Sequence, residues 1–167
     1  MKAKAKAEKA VALPDAHGKR FAIVVADFYA DLAAWLLDGA QRGLRDCGVD
    51  AEAIQVVRVP GCFELPLAAS RLVEDPRLDG IVALGVVIRG ETPHFDYIAG
   101  ECARGIMDVQ LTTGVPIGFG VLTTENREQA EERADPKRGD KGYGAALAAV
   151  TVALIEPKRP AGRVGFR

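Results

Sequence analysis

The chain has 167 residues, 49% of them hydrophobic and 27% charged, with a formal net charge of −1. That is enough for one domain with a sizeable core, and no apolar run approaches the ~20 residues of a membrane span. Residues 1–10 and 156–167 are each net +3, which leaves −7 for residues 11–155. Basic ends of this kind read as solubilising tails, because the body lacks a basic, aromatic-interleaved platform for nucleic acid.

In chain order, residues 1–19 read as a flexible tail, with room for one extra edge strand near 11–13. MKAKAKAEKA leads into ALPDAHGK rather than an apolar core segment, so no secretory signal is expected. FAIVVA (21–26) is a predicted strand. Over 30–47, Leu32, Leu36, Ala40, Leu44 and Cys47 recur every three or four residues, one apolar stripe of a helix. AIQVVRV (53–59) is the second strand, 64–74 a helix, IVALGVVI (81–88) the third strand and 94–110 a helix. PIGFGVL (116–122) is the fourth strand. A short helix and a charged loop fill 123–142, an apolar helix 142–155, and residues 157–167 are a basic C-terminal tail.

Such short, continuous apolar runs suit strands buried on both faces. Strand then helix, four times over, predicts an α/β fold: a doubly wound, four-stranded parallel sheet with helices on both faces, a single domain over 20–156. Cys47, Cys62 and Cys102 show no CxxC or finger spacing. They are expected as free thiols of a reducing, cytoplasmic setting, with no metal site.

Ligands bind such sheets at the carboxyl ends of the strands, and there the chain reads DFY, PGCFE, RGETPH and TTEN. In RGETPH, Thr92 suits a helix N-cap and Pro93 the first helical position. Gly90, Glu91 and Thr92 would then form a turn whose free amides seat a phosphate or carboxylate. His94 falls at the rim of that seat. A histidine at a helix start can also merely cap or pack, but His17 lies in the tail, so His94 is the body's one candidate for proton transfer. Phe28 and Phe63 offer faces for a planar heterocycle and Glu64 a carboxylate for its donors. Each of these also has a bland role, in the core or near a helix start. Arg133, followed by Lys137, Arg138 and Lys141, fits an anion grip and a solvated charged face equally well. GxGxxG, the P-loop pattern and GxSxG are absent.

VPGCFELP, GVVIRGETPHFDY, TTGVPIGFGVLTTEN and the spacing from Arg133 to DKG together resemble the 6,7-dimethyl-8-ribityllumazine synthase family, from about residue 20 to 155. The resemblance implies a flavodoxin-like fold and a cofactor-free condensation of 5-amino-6-(D-ribitylamino)uracil with 3,4-dihydroxy-2-butanone 4-phosphate. By motif, Phe28 resembles the aromatic stacked on the pyrimidine, and Cys62, Phe63 and Glu64 the loop holding ribityl chain and ring edge. Val86, Val87 and Ile88 match the strand end facing the pyrimidine. Glu91 and Thr92 match the phosphate turn, His94 the proton donor and acceptor, and Phe119 an aromatic lent by a neighbouring subunit. Arg133 resembles the phosphate-binding arginine, with Lys141 as helper. Tyr29, Val86 and Cys62 depart from common residues of the family, and Glu91 is unusual beside a phosphate.

The resemblance also implies small-molecule substrates and a homo-pentamer. The short loop from Arg133 to Lys141, altered by Asp135-Pro136, is more similar to members that build a shell of twelve pentamers. Two rivals stand beside this reading: a riboflavin synthase of the archaeal type, and a non-catalytic flavin- or lumazine-binding shell protein.

Overall fold

The four apolar runs pair into one parallel sheet of order β2-β1-β3-β4 in the computed structural model, which describes residues 12–156. The strands are β1 (Phe21–Ala26), β2 (Ile54–Val59), β3 (Gly80–Ile88) and β4 (Ile117–Thr124). Their bounds lie within two residues of those predicted. β1 is buried along its whole length and β3 as far as Val87, as continuous aliphatic runs require at the centre of a parallel sheet.

The helices are α1 (Ala30–Asp46), α2 (Leu65–Leu72), α3 (His94–Thr113), α4 (Arg127–Ala134) and α5 (Lys141–Ala153). Phe21, Ile23 and Val25 of β1 point to one face, where the cores of α1, α4 and α5 meet them. Ala22, Val24 and Ala26 point to the other, covered by α2 and α3. The predicted stripe of α1 is fully buried on the first face, each leucine contributing roughly 1.5–3 kcal/mol relative to exposure.

Two expectations are corrected. β2 is not buried on both faces: none of its residues is fully buried, and Val56 is 36% exposed. It is an edge strand bonded only to β1, and the eight-residue α2 is too short to cover it. The proposed edge strand near 11–13 is not a strand at residues 12 and 13, and residue 11 lies outside the described residues. Within the expected N-terminal tail, Ala16 is buried and its N–H donates to the Cys47 carbonyl at 2.7 Å. The C-terminal tail, 157–167, and the first eleven residues also lie outside the described residues.

α1 and α5 approach more closely than leucine-lined helices can. Gly142 of α5 sits directly on the Leu36 carbonyl, where any Cβ would overlap it, and Ala146 faces Gly43. Since both contacts are to backbone or a packed methyl, a side chain there cannot rotate away. Gly142→Ala is therefore expected to destabilise the fold by about 1–3 kcal/mol, read as a lower urea midpoint with an unchanged slope. An unaltered midpoint would show that the helix pair is free to separate.

Candidate active site

β1 and β3 are neighbours in the sheet, but α1 leaves towards one face and α3 towards the other. This is the switch point of a doubly wound sheet, and the crevice it opens lies beyond the strands' carboxyl ends. A cleft of about 500 Å³ occupies it. The β1–α1 junction, the β2–α2 junction, the end of β3 and the start of α3 form its walls.

Two phenyl rings reach the cleft from different junctions, Phe28 with 74% of its surface exposed and Phe63 with 58%. Rings this open have not found a place in the core and present faces for stacking. Tyr29 meets Phe28 edge-on, with centroids 5.0 Å apart and planes at 72°, while also packing on the α1-side core. An anchored ring thus braces an exposed one. Glu64 lines the cleft and makes no capping hydrogen bond to α2, so its carboxylate is available to donors in the cleft.

Cys62 forms part of the floor. It is buried, and its Sγ–H donates to the Val86 carbonyl at 3.8 Å. Gly85 allows that approach, for a side chain there would overlap the sulfur. Burial pushes the Cys62 thiol up to about 12, with the nearby Cys102 adding to the effect. Val86 and Val87 are buried and Ile88 partly so, and all three border the cleft at the end of β3.

His94 is the first residue of α3, exposed and facing the cleft. The helix starts one residue later than expected: Pro93 occupies the cap position with ψ 3. Thr92 Oγ1 accepts from the His94 N–H at a long 3.4 Å. The N–H groups of Gly90, Glu91 and Thr92 have no acceptor among the described residues, the open-amide turn that anion seats use. Gly90 and Thr92 border the cleft. Glu91 is exposed and does not.

Arg89 holds this turn in place, and sequence reasoning missed it. Its guanidinium lies 4.2 Å from the Phe95 ring centroid, 3.0 Å from Glu125 and 3.3 Å from Asp96. It therefore ties the start of α3 to the β4–α4 junction. Pro60, Gly61, Tyr29, Phe95 and Ile98 also line the cleft without having been assigned to the site. Ile98 carried a usable signal, since position i+4 from His94 shares its helix face.

Four predicted residues are not in this cleft: Glu91, Phe119, Arg133 and Lys141. Arg133 and Lys141 border a second one with Glu132, Arg138 and Gly139, and Arg133 Nη1 donates to the Gln129 carbonyl at 2.9 Å. Phe119 lies on β4, the opposite edge from β2, 45% exposed. One chain thus brings together the stacking rings, the carboxylate, the histidine and the open turn. It leaves the cationic group apart.

Fold and cleft together define a doubly wound α/β protein whose switch-point crevice gathers exposed aromatic faces, a histidine and a turn of open amides. The model of the 6,7-dimethyl-8-ribityllumazine synthase family matches residues 18–156. The chain is 50% identical over 135 residues to the 6,7-dimethyl-8-ribityllumazine synthase of Syntrophus aciditrophicus (strain SB), covering 81% of this chain and 88% of that protein. The chain belongs to the 6,7-dimethyl-8-ribityllumazine synthase family.

Cys47, Cys62 and Cys102 are all free and buried, and burial raises each thiol, Cys102 to about 11. Their native values lie above that of an ordinary thiol, so they favour the folded state at neutral pH. That contribution is lost as pH rises through them. Accordingly, a thiolate reagent at neutral pH should label none of the three in the native protein and all three in guanidinium. Rapid native labelling of Cys62 would show that the cleft floor opens.

Proposed function

We propose that the chain performs the reaction of its family with the following division of labour. It condenses 5-amino-6-(D-ribitylamino)uracil with 3,4-dihydroxy-2-butanone 4-phosphate, releasing phosphate and water and leaving 6,7-dimethyl-8-ribityllumazine for riboflavin biosynthesis. Phe28 stacks on the pyrimidine, and Phe63, Glu64 and the Cys62 loop hold its ring edge and ribityl chain. The ends of Val86, Val87 and Ile88 form the floor. His94 carries protons to and from the reacting atoms, and the Glu91–Thr92 turn, with Arg133 and Lys141, takes the phosphate.

The pyrimidine supplies its own amine, so the protein needs no covalent nucleophile. Amine addition to the ketone, loss of phosphate, ring closure by the second amine and loss of the two waters each require a proton to move. One well-placed imidazole serves these steps and adds roughly 10²–10⁴-fold. Holding the two substrates in reacting geometry supplies up to about 7 kcal/mol or more of the barrier. The observation that carries this reading is the convergence of two exposed phenyl rings and His94 on one cleft beside a turn of unpartnered amides.

The same proposal takes the active unit to be a homo-pentamer in which Phe119, Arg133 and Lys141 of one copy complete the cleft of the next. Supporting it are the apolar side chains left uncovered on α3, among them Tyr97 at 68%, Met107 at 49% and Leu111 at 76% exposure. An apolar surface this broad on one helix marks an interface. The short connection between Arg133 and Lys141 favours a shell of twelve such pentamers. Three unpaired thiols suit a cytoplasmic location.

Mixing the two substrates with the protein is expected to produce lumazine fluorescence. His94→Ala should lower kcat by about 10²-fold or more with an unchanged melting temperature. Arg133→Ala should raise KM for the phosphorylated substrate by roughly 10- to 100-fold, as the loss of a charge-assisted contact does. Unchanged kinetics in both variants would refute the assigned roles. Sedimentation at the monomer mass would refute the assembly.

A further inference from the structure

Asp140 is the one residue other than glycine with a positive φ among the described residues, at φ 44 and ψ 47. A side chain in this left-handed region is strained, and such strain persists only where the surroundings impose it. Asp140 also occupies the N-cap of α5, where an aspartate ordinarily accepts a first-turn N–H, yet it makes no capping bond. Its side chain turns instead to α1. Both carboxylate oxygens lie 3.0 Å from Arg42 Nη2. Arg42 is held in turn by Asp38, at 2.8 Å from Nε, and by the Tyr143 ring, 5.6 Å from its centroid.

What this strain fixes is the α4–α5 connection. The Asp140 N–H donates to the Asp135 carbonyl at 3.1 Å and the Gly139 N–H to the Glu132 carbonyl at 2.9 Å. Gly139 then lies so close to the end of α4 that a Cβ would be 2.7 Å from the Arg133 Cα. Arg133 stands on one side of this closed loop and Lys141, the residue after Asp140, on the other, both bordering the second cleft. A glycine would adopt the backbone geometry without strain, but it would leave the loop untied to α1.

We propose that Asp140, held in its left-handed conformation by Arg42, is a positioning residue that sets the spacing of Arg133 and Lys141 for the substrate phosphate. This rests on the reading of Arg133 and Lys141 as the phosphate grip. The ion pair offsets the backbone strain and fastens the loop to a helix that does not itself reach the second cleft.

Steady-state kinetics with both substrates tests it, on Arg133→Ala, Asp140→Gly, Asp140→Asn and Arg42→Met, with melting temperature as a parallel readout. Asp140→Gly accepts the same φ and keeps the backbone path, so it remains informative if Arg42→Met fails to fold. Asp140→Gly is expected to raise KM for the phosphorylated substrate roughly five- to tenfold, with KM for the pyrimidine unchanged. Folded Arg42→Met should behave alike. Asp140→Asn tolerates the conformation and keeps an oxygen for Arg42, so it should stay close to the parent. If Asp140→Gly lowers the melting temperature but leaves both KM values alone, the residue is merely structural and the inference is overturned. If Arg133→Ala also leaves KM for the phosphorylated substrate unchanged, the phosphate assignment itself falls and takes this inference with it.

Discussion

The pairing of β1 with β3 is the constraint from which the rest of the molecule follows. Both strands are aliphatic on both faces, so each must lie inside the sheet with helices above and below. Right-handed crossovers then send α1 to one face and α3 to the other. A crevice between the two strand ends is the geometric remainder, since no helix can cover that point from either side. The ring at Phe28 and the imidazole at His94 are placed by being the next few residues after one of those strands, and Cys62, Phe63 and Glu64 reach the same crevice from the end of β2.

The chemistry of the crevice is sparing. Its floor is closed by Cys62 and the end of β3, and desolvation keeps the thiol protonated. The polar groups that remain are a carboxylate, an imidazole and a row of open amides. This inventory suits a reaction whose nucleophile arrives with the substrate. Arg89 shows how much of the surrounding surface serves positioning. Its contacts to Asp96, Glu125 and Phe95 are partly exposed and individually weak, yet together they fasten the start of α3 to the next strand's exit.

Arg133 and Lys141 stand apart from His94, on a second cleft of the same chain. The cationic one is built more stiffly than its exposure suggests. A strained aspartate, a glycine pressed on the preceding helix and an arginine reaching from α1 all converge on the loop that carries it. Close contact between α1 and α5 through Gly142 keeps that arrangement referenced to the core. The apolar flank of α3 is the complementary feature. It carries large side chains that nothing among the described residues covers.

Much of this was legible in the sequence, because the signals concerned are local. Continuous aliphatic runs fixed the four strands within two residues, and the three-and-four spacing of Leu32, Leu36, Ala40 and Leu44 gave the buried stripe of α1. Turn chemistry at PGCFE and RGETPH marked the cleft's walls, since Gly, Pro and Thr set backbone direction through their own geometry. The family, too, was readable from ordered motifs. Tertiary structure alone decided the rest. It made β2 a half-exposed edge, because strand order depends on crossover packing rather than on the strand's own residues. It also buried Ala16 under the Cys47 turn, drew Arg89 across to Glu125 and bent Asp140 towards Arg42, ninety-eight positions away. Such contacts depend on which surfaces meet once the sheet has closed, and no short window of sequence contains both partners.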